Sequence, residues 1–273
     1  MRSGMPLSRT RYRLASAGSM VMALAIMSPN GTAVEPNSPN GSPNATVTQS
    51  AKIREDKDSS DKASIAKKPN GKQISPERRL VTVSGNQITL DVRQWPLLGK
   101  PEAKYICVEM FDYTCPYCRA THQALRGAME RYGNDLAIVA LPVPLDVACN
   151  RSVTTTVPQH AEACEIARIA VAVWRVDRKR FPQFHSWLFE PAQRRTAAEA
   201  RQHAAELVGE NAIEEELKRP YAGMYIAKHV ELYERVGSGS LPKFLFPRTT
   251  IVGEVESTST LLDMIQRELG PPP

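Results

Sequence analysis

The sequence of 273 residues predicts an α/β domain over 80–273, in which a βαβ half and a ββα half flank a helical insertion. Two largely apolar runs, 105–111 with one acid at Glu109 and 136–141 without any, enclose a segment of helical character, which is typical of a parallel βαβ unit. A long region of helical spacing follows at about 156–236. Two short β-prone runs and one amphipathic segment follow at the end of the chain, and these predict the ββα half.

The elements follow one another in this order. A hairpin is predicted from the β-prone runs 80–83 and 87–90, which surround the turn residues Ser84, Gly85 and Asn86. The other predicted elements are a Pro/Gly-punctuated connection over 95–101, strands over 105–111 and 136–141, helices over 117–132, 161–175, 181–189, 197–207 and 213–236, strands over 243–246 and 249–252, and a helix over 257–269 that stops at Gly270. This is the order of a thioredoxin-like scaffold with a helical insertion between its two halves.

The first 33 residues have the pattern of an export signal. Four arginines and no acidic residues precede an apolar or small-residue run at 14–27, and Gly31, Thr32 and Ala33 provide small residues for cleavage. The apolar run is shorter than the roughly 20 residues that a membrane span needs, so removal is expected. An uncleaved signal would instead anchor the protein to the membrane. Both outcomes predict a periplasmic or secreted domain.

Residues 34–79 have the composition of a disordered polar linker. Pro, Asn, Ser, Lys and Thr dominate, and such a stretch cannot bury enough apolar area to offset the entropy of ordering it. The alkaline pI of about 9.1 belongs to this segment and to the signal, because residues 81–273 carry 22 Lys/Arg against 23 Asp/Glu. A nucleic-acid-binding protein would gather basic charge on its folded domain, so the composition argues against that class.

Cys115 and Cys118 are the residues that predict chemistry. Disulfide exchange needs an attacking thiolate and a second thiol close enough to resolve the mixed disulfide. A Cys-x-x-Cys run at a strand-to-helix junction places both sulfurs on the first helical turn, where partial positive charge stabilises a thiolate. Cys115 is therefore predicted to be the exposed nucleophile and Cys118 the sheltered resolving thiol. Pro116 suits the first position of a helix.

A zinc site is the alternative interpretation of the same pair. It would need two further ligands, and a set of Cys115, Cys118, His160 and Cys164 stays open on the sequence. The five histidines are otherwise scattered without ligand spacing, so no metal is expected. His122, one turn beyond Cys118, is the histidine that the sequence places near the site.

The residues around the cysteines resemble a known family. The run from Val108 to Arg119, Val-Glu-Met-Phe-Asp-Tyr-Thr-Cys-Pro-Tyr-Cys-Arg, is similar to the active-site strand and loop of the DsbA-like thiol-disulfide oxidoreductases with a thioredoxin fold. Pro-Tyr between the cysteines also occurs in glutaredoxins. The resemblance covers roughly 80–270, strongly at this motif and weakly in the helical insertion. It implies a protein-disulfide oxidoreductase that uses no cofactor beyond its own thiols.

Two further positions match this family. Glu109 stands six residues before Cys115, where the resemblance implies a buried acid that takes and returns the proton of Cys118. Leu241 and Pro242 resemble the family's cis-proline loop, since an X–Pro bond is the one for which the cis form costs little. There the backbone of Leu241 would pair with an extended substrate. With Pro116 and Tyr117, these residues form the expected substrate-binding surface.

Three cysteines lie outside the pair. Cys149 and Cys164 flank a polar loop, and a bridge between them would contribute about 3 kcal/mol by loop entropy. We interpret them as a structural disulfide, with a second redox pair that relays electrons to Cys115 and Cys118 as the alternative. Cys107 lies within an apolar strand and is expected to be a buried, inert thiol.

The sequence therefore predicts an exported enzyme that exchanges disulfides with protein thiols or disulfides and works with a redox partner protein it does not identify. The direction of exchange stays open between reductase, isomerase and mild oxidase. DsbA has His where this chain has Tyr117, and Tyr cannot become a cation beside the thiolate, so a less oxidising site is expected. A non-catalytic binding module with a thioredoxin fold is the alternative from another class, and a membrane tether through the N-terminus would accompany an uncleaved signal.

Overall fold

The computed structural model of the chain describes residues 77–190 and 194–273. The predicted export signal and all but the last three residues of the predicted linker lie outside the described residues. Within the described part of the chain, no helix combines the length and the apolar character that crossing a bilayer requires.

A five-stranded sheet in the order β3-β5-β4-β6-β7 forms the centre of the domain, and β1 and β2 pair with each other in a separate hairpin. The strands are β1 (Leu80–Val83), β2 (Ile88–Asp91), β3 (Leu97–Leu98), β4 (Tyr105–Phe111), β5 (Leu136–Pro142), β6 (Lys243–Leu245) and β7 (Thr250–Val252). The helices are α1 (Pro116–Tyr132), α2 (Ala163–Val176), α3 (Phe181–Phe189), α4 (Ala197–Val208), α5 (Glu210–Lys218), α6 (Tyr221–Arg235) and α7 (Thr258–Glu268).

β4 and β5 are the buried centre of this sheet. Every residue of both strands is buried, which explains why their sequences, apart from Glu109, are apolar without alternation. They pair in parallel, with Val108 opposite Val139, and α1 connects them. On its other side β4 pairs antiparallel with β6. The predicted thioredoxin-like α/β fold is confirmed, with a βαβ half and a ββα half that meet along β4 and β6.

The short strand β3 was not expected from the sequence. Leu97 and Leu98 pair antiparallel with Val139 and Ile138 of β5, inside the segment predicted to be only a connection. Two residues between Pro96 and Gly99 are too few to show the alternation that marks a strand. The sheet gains an edge strand there because the backbone of β5 needs a partner on its outer side.

The helical insertion between β5 and β6 consists of α2 to α6. α2 lies at its centre, with buried residues on most of its surface, and packs against α4, α5 and α6. The single helix predicted over 213–236 is instead two helices, α5 and α6, and this prediction was wrong. Pro220, the residue that precedes α6, lacks the N–H that would continue α5, and its ring clashes with the preceding turn.

Two glycines with similar backbones provide a test of how closely β3 approaches β5. Gly99 has φ +91° and Gly209 has φ +93°, so alanine strains both. A Cβ on Gly99 would lie 2.6 Å from the carbonyl oxygen of Leu136, whereas a Cβ on Gly209 would have open space around it. We expect Gly99→Ala to lower the free energy of unfolding by about 1–3 kcal/mol more than Gly209→Ala, measured by urea denaturation. Equal losses would contradict this packing.

Candidate active site

The two active-site cysteines lie where the central strand β4 passes into α1. Cys115 is the residue before the helix, with φ −78° and ψ 124°, and Pro116 occupies the first helical turn. The extended backbone of Cys115 turns into the helix because its N–H donates to the carbonyl of Asp112 at 3.1 Å, and its own carbonyl accepts from Arg119 at 3.1 Å. The central strand thus delivers both thiols to a helix N-terminus.

The exposure predicted for Cys115 was wrong. Cys115 is 3% exposed and Cys118 is fully buried. Tyr117, between them, is 58% exposed and forms the accessible surface of the motif. Because the Cys115 thiol is nearly closed off from water, a substrate has to make direct contact with this surface to reach it.

The environments of the two thiols shift their pKa values in opposite directions. The Cys118 thiol hydrogen-bonds to the Cys115 sulfur and, with the backbone N–H groups of Cys118 and Tyr117, holds the pKa of Cys115 below its ordinary value, against the opposing effects of burial and of the Asp112 charge. Burial, followed by the hydrogen bond to Cys115, raises the pKa of Cys118 well above its ordinary value. At neutral pH the pair therefore contains one thiol poised to ionise and one that keeps its proton.

Glu109 lies within β4, opposite Phe244 of β6 and Ala140 of β5. Its side chain is 1% exposed, and its Oε2 has no hydrogen-bond partner among the described residues. Burial raises the pKa of Glu109 to about 8. Burial raises the pKa values of Cys107 and Tyr113, and the charge of Glu109 adds to both shifts. Glu109 is therefore a buried acid able to change protonation near neutral pH.

Asp112 is an acid of the site that the sequence analysis did not identify. It is 1% exposed and lies three residues before Cys115. Its backbone N–H donates to the Cys118 sulfur at 3.5 Å. Burial is the larger effect that opposes ionisation of both active-site thiols, and the charge of Asp112 adds to it. An Asp followed two residues later by Thr was a visible turn signal, because Asp side chains bond to the backbone two residues on.

An aromatic cluster joins the active-site loop to the helical insertion. The Tyr113 hydroxyl and His185 Nδ1 of α3 form a hydrogen bond of 3.0 Å. His122, on α1, stacks on Phe189 with ring centroids 4.7 Å apart. Arg119 donates to the carbonyls of Phe189 at 2.9 Å and of Tyr113 at 3.0 Å. The insertion is thereby fastened to the loop that carries the cysteines.

Leu241 and Pro242 lie beside the end of β4. Lys243 of β6 pairs with Met110 of β4, and Pro242 and Leu241 directly precede Lys243 in the chain. The peptide bond between Leu241 and Pro242 is cis, and the carbonyl of Pro242 accepts from the N–H of Gly253 at 2.9 Å. The two residues that the sequence assigned to substrate binding are therefore neighbours of the strand that leads to Cys115.

The remaining cysteines occupy separate places. Cys149 and Cys164 are both half-buried and form a disulfide with Cα atoms 5.9 Å apart. Cys107 is a buried free thiol whose pKa burial raises. The zinc set that stayed open on the sequence loses Cys164, since its sulfur is bonded to Cys149. Among the described residues, no three His, Cys, Asp or Glu side chains are grouped as a metal site would require.

A cavity of about 800 Å³ lies elsewhere, between the β2–β3 segment and the start of the insertion. Trp95, Trp174 and Arg178 are among the residues that line it. Neither active-site cysteine belongs to that lining, so the volume of this cavity says nothing about the thiol chemistry.

Comparisons with known proteins show which fold this is. No protein-family model matches the chain, and no curated protein matches it. Solved structures do match. A periplasmic thioredoxin-like protein from Salmonella enterica serovar Typhimurium is 22% identical, with a TM-score of 0.50 over 64% of this chain and 89% of that one. The fold is DsbA-like.

Two further structures agree. The thiol-disulfide exchange protein alpha-DsbA2 from Wolbachia pipientis is 16% identical, with a TM-score of 0.52 over 64% of this chain and 87% of that one. Oxidised BdbD from Bacillus subtilis is 18% identical, with a TM-score of 0.50 over 71% of this chain and 98% of that one. At these identities the DsbA-like likeness concerns the fold, and the chemistry has to be argued from the residues.

His122 makes stability depend on pH. Both of its ring nitrogens are buried without a hydrogen-bond partner among the described residues, and burial lowers its pKa to about 4. An unfolded histidine takes up its proton near pH 6.5, so the folded state loses stability as pH falls from 6.5 toward 4. We expect His122→Leu to remove about 2 kcal/mol of the stability that wild type loses between pH 8 and pH 5. Denaturation at both pH values measures this, and identical losses would contradict it.

Proposed function

We propose that the protein is an exported protein thiol-disulfide oxidoreductase in which Cys115 is the nucleophile and Cys118 the resolving thiol. The observation that carries this proposal is the placement of the two thiols, with Cys115 directly before α1 and Cys118 fully buried within it, where their pKa values shift in opposite directions. A reactive thiol needs a stabilised thiolate, and a resolving thiol has to stay protonated until the mixed disulfide has formed. A structural cysteine pair has no need of either property.

Exchange on this pair proceeds in two steps. The Cys115 thiolate attacks one sulfur of a substrate disulfide, which forms a Cys115–substrate bond and releases the other substrate sulfur as a thiolate. Cys118 then loses its proton and attacks the Cys115 sulfur, which closes the Cys115–Cys118 disulfide and frees the second substrate thiolate. The substrate gains two electrons and the enzyme loses two. The reverse sequence oxidises a substrate dithiol.

Glu109 is proposed to take and return the proton of Cys118. Its support is a buried carboxyl group with an unpartnered Oε2 and a pKa of about 8. A buried thiol cannot give its proton directly to bulk water, so a buried group that changes protonation in this range would lower the cost of the second step.

Leu241, Pro242, Pro116 and Tyr117 are proposed to contact the substrate. The support is position, since Pro242 directly precedes Lys243, which pairs with Met110 of β4, and Pro116 and Tyr117 are both exposed. An extended or unfolded protein segment fits this arrangement, because it can lay its backbone along Leu241 while a sulfur meets Cys115.

The proposal extends to place and partners. The predicted signal directs the domain to the periplasm or outside the cell, and the Salmonella structure of the same fold is described as periplasmic. Substrates are protein thiols or disulfides, and turnover requires a redox partner protein that resets the Cys115–Cys118 pair. No cofactor other than the thiols takes part. An uncleaved signal would tether the domain to the membrane.

A catalytic test separates this function from a binding module of the same fold. Cys115→Ser should abolish insulin reduction in the presence of dithiothreitol, because it removes the attacking sulfur. Cys107→Ser is the matched control, since Cys107 is a buried thiol outside the site, and it should retain the wild-type rate. If the wild type shows no exchange above the rate with dithiothreitol alone, the oxidoreductase proposal fails and the binding module stands.

A further inference from the structure

The backbone of Asp112 contacts both active-site cysteines. Its N–H donates to the Cys118 sulfur at 3.5 Å, and its carbonyl accepts from the Cys115 N–H at 3.1 Å. The turn 112–115 therefore keeps the position of Asp112 relative to the thiols fixed. Any charge on its side chain lies inside this turn, away from water, where it acts strongly on its neighbours.

Hydrogen-bond donors stabilise that charge. One carboxylate oxygen accepts from the Thr114 N–H at 2.5 Å and from the Thr114 hydroxyl at 2.6 Å. The other oxygen accepts from the Leu145 N–H at 2.5 Å. Burial raises the pKa of Asp112 above its ordinary value, and these donors, with His160, counter part of that shift by favouring the ionised acid. The ionisation of Asp112 therefore depends on its donors staying in place.

Part of this support comes from the loop that the Cys149–Cys164 disulfide closes. His160, inside the closed loop, has its Nδ1 2.6 Å from the Thr114 hydroxyl. Because that hydroxyl donates to Asp112, it accepts from His160 Nδ1–H. Leu145 lies just before the loop, where the Asn150 side chain donates to the Pro144 carbonyl at 2.7 Å. The disulfide thus ties down the segment that delivers two contacts to the Asp112 network.

We propose that Asp112, held by the disulfide-closed loop, is a positioning residue that sets how readily Cys115 and Cys118 ionise. The inference rests on the proposed function only for its consequence, which is the direction of exchange. Among the described charged groups, Asp112 opposes ionisation of both thiols. Burial lowers the pKa of Arg119 on α1, and the charges of the two thiols oppose that shift. Glu109 acts on Cys107 and Tyr113, and His160 acts on Asp112.

The consequence is that the Cys115–Cys118 disulfide is less oxidising than it would be without the charge of Asp112. A stabilised Cys115 thiolate stabilises the reduced enzyme and makes the disulfide more oxidising. Asp112 opposes that stabilisation with a charge of the same sign. The disulfide between Cys149 and Cys164 would then have a part in the chemistry although its own sulfurs exchange nothing, because it keeps the opposing charge in position.

The test is the titration of Cys115 in the reduced protein, followed by thiolate absorbance near 240 nm. Asp112→Asn should lower the pKa of Cys115 by about one, a tenfold gain in ionisation, and shift the equilibrium with glutathione toward the reduced enzyme. Glu216→Gln is the matched control, since it changes a buried carboxyl group of the helical insertion, and it should change the pKa of Cys115 less. A Cys115 pKa that stays at the wild-type value in Asp112→Asn, or a larger change in Glu216→Gln, would overturn the proposal.

A second pair of variants guards against misfolding of Asp112→Asn. Thr114→Val removes the hydroxyl that donates to Asp112, so the buried acid takes up a proton and the pKa of Cys115 should fall. Thr114→Ser keeps the hydroxyl and should restore the wild-type titration. Equal titrations of the Val and Ser variants would overturn the proposal even if Asp112→Asn cannot be purified.

The part of the Cys149–Cys164 disulfide is tested by removing it in two backgrounds, the wild type and Asp112→Asn. Cys149→Ser with Cys164→Ser should lower the pKa of Cys115 toward the Asp112→Asn value, and the same change made in Asp112→Asn should have no further effect. Equal shifts in both backgrounds, or none in either, would overturn the loop's part. Insulin reduction by the wild type is measured separately. Its absence would reject the proposed function, whereas unchanged titrations in an active enzyme would reject this inference alone.

Discussion

The rest of the site depends on the short turn between β4 and α1. Every residue of β4 is buried, so the chain enters α1 inside the protein. The first N–H groups of α1 have no partner within the helix. A helix N-terminus needs acceptors for these groups. The Cys115 side chain makes no cap hydrogen bond, and the backbone N–H groups of Tyr117 and Cys118 favour its ionised form. The thiolate fills that need. The helix and the thiol therefore stabilise each other, and the chemistry follows from the packing.

The site balances two opposing effects. The helix terminus and the neighbouring thiol favour a thiolate at Cys115, whereas burial and the charge of Asp112 oppose it. Neither effect would make a usable site alone, because a thiolate that is too stable is a poor nucleophile. Tyr117, which points to solvent rather than placing a cation beside the sulfur, leaves this balance to the protein interior. The insertion contributes through Arg119 and the aromatic cluster, which fix the loop around the thiols.

Much of this could be read from local sequence. Continuous apolar runs predicted β4 and β5, and Cys-x-x-Cys between strand and helix predicted the paired thiols, because both patterns are complete within a few residues. β3 could not be predicted, since two leucines are too few to show the alternation of apolar and polar residues that marks a strand. The burial of Cys115 could not be read either, because it depends on packing between distant segments. Asp112 acts through Leu145 and His160, 33 and 48 residues further along the chain, and no spacing rule connects them.

In the proposed exchange, Cys115 is the reactive thiol of the pair, and Cys118 keeps its proton until the mixed disulfide has formed. The most direct measurement is the pH dependence of iodoacetamide alkylation of each cysteine in the reduced wild-type protein, resolved by mass spectrometry of the peptides. We expect Cys115 to react at a pH below the ordinary pKa of a thiol. Cys118 and Cys107 should react only at a pH well above that ordinary pKa. Alkylation of Cys118 at or below the pH at which Cys115 reacts would contradict the account.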